Sequence, residues 1–157
     1  MSATRTQVRG ATRVFPPFYY LLAAALMVAF DRWAPGTRWL TLPLSLMGVL
    51  PFVVGLGLMV AAMRAIRAHQ TTIKPFEPST ALVTSGPYRV SRNPIYLGMT
   101  LMLVGVALSL GSTAPLLLVV GFALWLQVRF ILKEEAHLAE QFGDAYRSYQ
   151  ARVRRWV

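Results

Sequence analysis

The chain has 157 residues, 55% of them hydrophobic and only 14% charged. Its mean hydropathy of +0.49 is above what a soluble domain of this size carries, so it reads as one membrane-embedded domain over residues 1–157. The absence of cysteine excludes thiol nucleophiles, disulfides, thiolate metal sites and iron–sulfur clusters, and His69 and His137 alone cannot build a histidine-rich metal centre.

A membrane-spanning helix takes roughly 20 apolar residues. The first candidate runs from about Phe15 to Phe30 and is closed by Asp31-Arg32-Trp33; the second, from about Trp39 to Met63, holds no ionisable residue. From Ile95 to Val128 the chain is again free of charge, but Gly111-Ser112-Thr113-Ala114-Pro115 interrupts it with a turn glycine, an N-cap hydroxyl and a helix-start proline. Two helices joined as a tight hairpin are expected there, the first arm from about Tyr96 to Leu110. Basic residues sort accordingly. Arg5, Arg9 and Arg13 precede span one; Arg64, Arg67, Lys74, Arg89 and Arg92 lie between spans two and three; Arg129, Lys133, Arg147, Arg152, Arg154 and Arg155 follow span four; only Arg32 and Arg38 fall opposite. The expectation is an all-α integral membrane protein of about four spans, multi-pass in the cytoplasmic membrane of a prokaryote, with both termini cytoplasmic. No small-residue cleavage pattern follows the first apolar run, so no cleaved signal peptide is expected. The formal net charge of +10 flanks apolar runs without forming a basic face with interleaved aromatics, which points to anionic lipid headgroups and away from nucleic acid.

Polar chemistry is therefore confined to the loop from about Ala65 to Ser91 and the tail from about Phe130 to Val157. Lys74-Pro75-Phe76-Glu77-Pro78 is a stiff, non-helical stretch, because each proline fixes its own backbone and displaces its predecessor from the helical region. The tail from Glu134 to Arg152 reads as a helix broken near Gly143, with Phe142, Tyr146 and Tyr149 on one face.

Spans two to four lack central ionisable groups, which argues against a proton relay or ion path. Gly55-Leu56-Gly57 lies inside span two without a strand-turn-helix setting, so it reads as helix packing and not as a nucleotide loop. Glu134 and Glu135 sit where a helix leaves the membrane. They are either solvated and paired with Arg129 and Lys133, or they accept charge-assisted hydrogen bonds from an ammonium or from ribose hydroxyls. Being adjacent, they point to different helix faces, so only one is expected to reach inward. Arg92 is either a lipid-headgroup contact or a planar donor to a carboxylate, and the turn at Asn93-Pro94 favours the second. Tyr88 and Tyr96 serve either as interfacial belt aromatics or as ring faces beside a cation. His137 has no ligand-spaced partner except Glu134, which makes a poor metal pair.

Taken together, Leu82-Val83-Thr84-Ser85-Gly86-Pro87-Tyr88, then Arg92-Asn93-Pro94-Ile95-Tyr96-Leu97-Gly98, an apolar hairpin, Glu134-Glu135, Phe142-Gly143, Tyr146, Tyr149 and Val153-Arg154-Arg155-Trp156 resemble the isoprenylcysteine carboxyl methyltransferase family and its phospholipid N-methyltransferase relatives. The resemblance is strongest over residues 71–156. It implies a small helical membrane enzyme that uses S-adenosylmethionine without a Rossmann domain. The cofactor pocket would be formed by the loop before helix three, the ends of the helix three/four hairpin and the C-terminal helical tail. Carried over by motif, the cofactor-binding residues are Leu82, Val83, Tyr88, Asn93, Pro94, Ile95, Tyr96, Glu134 and Glu135. Arg92 and Glu134 would position the cofactor, and Arg129 is the candidate acceptor contact. Asn93 stands where the eukaryotic relatives carry histidine; an amide hydrogen-bonds but does not titrate near neutral pH. The implied partners are membrane lipids and a hydrophobic or lipid-like methyl acceptor. The competing reading is a non-enzymatic scaffold or carrier with a polybasic face.

Overall fold

The computed structural model describes residues 16–69 and 80–157; the expected span start at Phe15, the three arginines ahead of it and the proline-stiffened residues 74–78 lie outside the described residues. Every described element is helical. These are α1 (Pro16–Trp33), a 3-10 turn (Leu44–Gly48) running into α2 (Val49–Ala68), a short 3-10 turn (Gly86–Arg89), α3 (Pro94–Leu110), α4 (Thr113–Leu126), a π-helical turn (Gln127–Ile131) and α5 (Leu132–Arg152).

Two helices are long and apolar enough to cross a membrane, Leu44–Ala68 with 25 residues and Thr113–Arg152 with 40. Only the uncharged part of the second, residues 113–128, suits a bilayer core, and α5 lies beyond it. The four expected spans are thus met by length and composition at two. α3 is apolar but stops at 17 residues, bounded by Pro94 and by Gly111 in the left-handed region at φ 71. α1 has 18 residues and takes Asp31 and Arg32 into its last turn. The second span begins at Leu44 and not at Trp39, because the N–H groups of Trp39 and Leu40 both donate to the carbonyl of Gly111 (3.0 and 3.2 Å).

The hairpin turn differs from expectation in one respect. The Ser112 hydroxyl does not cap α4; it donates to Asp31 Oδ1 at 2.7 Å. The first donors of α4 are met by the α1–α2 connection instead, Thr113 N–H by Thr37 O and Ala114 N–H by Pro35 O, each at 3.1 Å. Arg38 donates to Asp31 Oδ2 at 3.2 Å and completes this clasp. A buried carboxylate left without these donors would be costly, so Asp31 ties the ends of α1, α3 and α4 together.

Along α2 and α3 the packing is set by glycine. A Cβ on Gly55 would lie 2.5 Å from the Gly98 carbonyl, one on Gly98 2.6 Å from the Gly55 carbonyl, and one on Gly105 2.6 Å from the Gly48 carbonyl. Glycines seven residues apart on each helix therefore face each other, and the two backbones touch directly, as in membrane helix pairs where dispersion and not water exclusion drives association. The reading of Gly55 as a packing residue holds. This seam fixes where the first turn of α3 stands. The core closes over its other face through Met27, Met99, Leu103, Phe122 and Leu126.

Gly55→Val should force the seam apart and lower stability by about 1–3 kcal/mol. Gly57→Ala, where an added Cβ meets nothing within 4 Å, should be neutral or slightly stabilising; thermal unfolding of the detergent-purified variants distinguishes the two positions.

Candidate active site

At the end of the bundle away from the Asp31 clasp, a cleft opens between α2, α3, α5 and the chain just before α3. It has ≈ 60 Å³ of free space in its interior and ≈ 550 Å³ counting its open mouth. Ile66, Leu82, Val83 and Leu138 give it an apolar side, Tyr88, Tyr146 and Tyr149 an aromatic one, and Arg92, Asn93, Glu134 and Glu135 a polar one. Local stereochemistry brings these groups together. The Gly86–Arg89 turn, with Gly86 at φ 58 and Pro87 behind it, presents Tyr88. Asn93 precedes a helix that starts with proline, so Arg92 and Asn93 stay outside α3. Gly143, at φ 53 and ψ −123, breaks α5 and returns Tyr146 and Tyr149 to the cleft, as the sequence indicates.

Glu134 and Glu135 both reach the cleft, contrary to the expectation that one would turn away. Each frames a different edge. Glu135 is buried and fully engaged: Arg92 Nη2 lies 3.2 Å from Oε1, Arg155 donates from Nε at 3.1 Å and from Nη2 at 2.8 Å, and Asn93 Nδ2 donates at 3.4 Å. Two guanidinium groups on one carboxylate meet the need of a buried charge for both neutralisation and hydrogen bonds. Among the described residues Glu134 receives one hydrogen bond, from the Tyr96 hydroxyl at 3.0 Å. Loss of water pushes its carboxyl above the ordinary range, the Tyr96 hydrogen bond opposes that shift, and the neighbouring Glu135 charge adds to it.

The tyrosines act as neutral groups. Burial raises Tyr88 and Tyr146, and it pushes Tyr149 up to about 12 against the lowering effect of Arg92. Tyr149 donates its hydroxyl to the Tyr88 carbonyl at 2.6 Å, so its role is to brace the turn. Arg92 has a side chain only 10% exposed, and its buried Nε has no hydrogen-bond partner among the described residues. The cleft therefore offers one carboxylate short of donors and one guanidinium N–H short of an acceptor.

Of the sequence-expected residues, Leu82, Val83, Tyr88, Arg92, Asn93, Glu134 and Glu135 line this cleft. Pro94 and Tyr96 are buried behind its wall, Tyr96 supporting Glu134, and Ile95 packs against the core. Arg129 is exposed on the π-helical turn, outside the lining. His137 is also outside the lining, with Nε2 buried and unpartnered. Arg155 was not among the expected site residues; the sequence showed it within the Val153-Arg154-Arg155-Trp156 element, in a chain with six acidic residues against sixteen basic ones.

Removing each glutamate should have opposite effects on stability. Glu135→Ala leaves Arg92 and Arg155 facing each other without a counter-charge and should cost on the order of 3 kcal/mol. Glu134→Gln should raise the melting temperature at pH 7.5 and change it little near pH 4. A carboxyl raised by folding stabilises below its unfolded value and loses that contribution as pH rises through its folded value.

Comparison with known proteins bears on what such a cleft does. The sequence model of the phospholipid methyltransferase family matches residues 44–145. An uncharacterized protein of Haemophilus influenzae is 40% identical over 63 residues, 40% of this chain and 100% of that protein. The protein-S-isoprenylcysteine O-methyltransferase of Schizosaccharomyces pombe is 39% identical over 75 residues, which is 46% of this chain and 30% of that enzyme. The chain thus aligns with less than a third of the yeast enzyme, while the family match spans most of its own helices, the glycine seam and both glutamates. The chain belongs to the phospholipid methyltransferase family.

Proposed function

We propose that this chain is a single-domain, multi-pass membrane methyltransferase that takes its methyl group from S-adenosylmethionine and delivers it to a hydrophobic, lipid-like acceptor. The observation that carries the reading is the unequal pair of carboxylates. Glu135 is neutralised by Arg92 and Arg155, whereas Glu134, half-buried beside it, holds a single hydrogen bond among the described residues, from Tyr96.

S-adenosylmethionine supplies an activated methyl group on a sulfonium and carries an ammonium, a carboxylate, ribose hydroxyls and an adenine. The cleft has a counterpart for each class of group. Glu134 suits the ammonium or the hydroxyls. The guanidinium of Arg92 suits an anionic oxygen, the ring faces of neutral Tyr88 and Tyr146 suit a cation, and Leu82, Val83, Ile66 and Leu138 suit an aromatic base. Transfer from a sulfonium is an in-line displacement that needs no covalent enzyme intermediate, so the residues work by orienting the reactants and excluding water.

A route for the acceptor is supported by a second, apolar groove of ≈ 360 Å³ between α1 and α4, lined by Tyr19, Leu22, Leu26, Leu118, Phe122 and Trp125 among others. From it a run of rings leads inward: Tyr19 to Trp125 at 4.6 Å, Trp125 to Phe130 at 5.4 Å, and Phe130 to Tyr96 at 6.3 Å. Tyr96 holds Glu134. Phe130 and Tyr96 are buried in the core, so these rings join the groove wall to the residue that holds Glu134, and the acceptor's hydrocarbon chain is proposed to lie in the groove itself. Arg129, exposed on the π-helical turn that follows α4, is the proposed contact for a polar acceptor head. In this reading α1 and α3 complete a four-span bundle, packed against α2 and α4, with both termini on the basic, cytoplasmic side.

Calorimetric titration of S-adenosylmethionine into the detergent-purified protein at pH 7.5 should show saturable binding. Glu134→Gln, with folding confirmed, should weaken it about tenfold to a hundredfold, the worth of a charge-assisted hydrogen bond. Wild-type affinity should fall on acidification at a pH above the ordinary carboxylate range, because the charged form binds and the folded carboxyl is raised; the Gln variant should lack that limb. Wild-type affinity in the variant would remove Glu134 from the site.

A further inference from the structure

The chain after α5 is a strap across the site. Val153 leaves the helix in an extended conformation, and the next residues run beside the segment that precedes α3. The Arg92 N–H donates to the Arg154 carbonyl at 3.0 Å. The Arg155 carbonyl accepts from the Ser91 hydroxyl at 3.2 Å and from Asn93 Nδ2 at 3.1 Å. Trp156 Nε1 donates to Gln127 Oε1 at 2.9 Å and anchors the far end on the π-helical turn. The strap backbone thus holds the two residues that enter the cleft from the α3 side.

Its one charged side chain at the site approaches Glu135 from outside the cleft. Arg155 is a third exposed, does not line the cleft, and forks onto Glu135 through Nε and Nη2. Arg92 reaches the same carboxylate with a single nitrogen, Nη2. A two-point guanidinium contact holds a carboxylate in one orientation more firmly than a one-point contact. Without Arg155, Arg92 alone would answer Glu135. It would be drawn further onto that carboxylate, and Glu134 would face a less compensated negative neighbour.

We propose that Arg155 is a positioning residue of the methyl-transfer site: by holding Glu135 from behind, it leaves the guanidinium of Arg92, committed to Glu135 through one nitrogen, and the carboxylate of Glu134 for the ligand. This inference rests on the cleft being the S-adenosylmethionine site. Among the described residues, the titratable and charged groups around the two carboxylates are Tyr88 on the turn, Arg92 and Tyr96 at α3, Tyr146 and Tyr149 past the α5 kink, Lys133 and His137 on their own helix, and Arg155 on the strap; among them α2 contributes Ile66 to this cleft. Arg155 is the cation that acts on the pair from outside it.

The test is the pH dependence of S-adenosylmethionine binding, by calorimetry, for wild type, Arg155→Gln, Arg155→Lys and the double variant Glu135→Gln/Arg155→Gln. Arg155→Gln should move the acid limb upward by about half a pH unit or more and weaken binding several-fold at pH 7.5. Arg155→Lys, which keeps the charge and loses the fork, should hold the limb near its wild-type position. The double variant removes the carboxylate together with its cation and so avoids an orphaned charge even if Arg155→Gln fails to fold; its limb should return to the wild-type position or below. An unshifted limb in Arg155→Gln, or a double variant in which the limb is displaced upward, overturns the proposal while leaving the cofactor site intact. Absence of binding to folded wild type overturns the cofactor reading and this inference with it.

Discussion

A carboxylate buried at the edge of a membrane protein has to be answered by positive charge and hydrogen bonds, and much of the polar end of this molecule is arranged around how Glu135 meets that demand. Its partners come from opposite directions in the chain. Asn93 lies 42 residues before it and Arg155 20 residues after it, so satisfying one side chain closes the segment before α3 against the C-terminal strap. The closure consumes Glu135 and leaves Glu134 with Tyr96 alone. Two chemically identical neighbours thus acquire different jobs. One organises the site, and the other remains available to a cationic or hydroxyl-bearing ligand.

That arrangement requires α3 to stand in one place. It is pinned at one end and along its flank. At one end the Asp31 carboxylate draws Ser112 and Arg38 into the clasp while the Gly111 carbonyl takes two N–H groups from the α1–α2 connection. Along its flank, the facing glycines of α2 and α3 let backbone meet backbone, which leaves no slack for sliding. Tyr96, in the first turn of α3, consequently meets Glu134 on α5 at hydrogen-bond distance. The π-helical turn at Gln127–Ile131 joins these regions: it buries Phe130 and Ile131 in the core, and both glutamates face the cleft just beyond it.

Features governed by single-residue stereochemistry were legible in the sequence. Gly111 as a helix stop, Pro94 as a helix start and Gly143 as a break inside the tail all follow from which backbone angles those residues favour or fix. The polar residues expected at the cleft came from the resemblance of the Arg92-Asn93-Pro94 and Glu134-Glu135 motifs to a family, not from residue stereochemistry. What was not legible depends on partners remote in the chain. Ser112 had the right chemistry for an N-cap, but a carboxylate 81 residues away claimed its hydroxyl. The two glutamates looked mutually exclusive on a helical wheel, yet a cleft with two edges uses both. Arg155 resembled any juxtamembrane arginine until the strap brought it to Glu135. Span number was read from apolar runs, whereas α1 and α3 end where charge, proline and glycine end them.

The central claim is that the cleft is the cofactor site and that Glu134, not Glu135, meets the ligand. A structure of the protein with S-adenosylhomocysteine bound tests it most directly. The account predicts the ligand in this cleft, its base against Leu82 and Val83, a Glu134 oxygen within hydrogen-bond distance of its ammonium or ribose, and Glu135 still held by Arg92 and Arg155. A ligand bound elsewhere, or one that displaces Arg155 from Glu135 while Glu134 keeps only Tyr96, would contradict it.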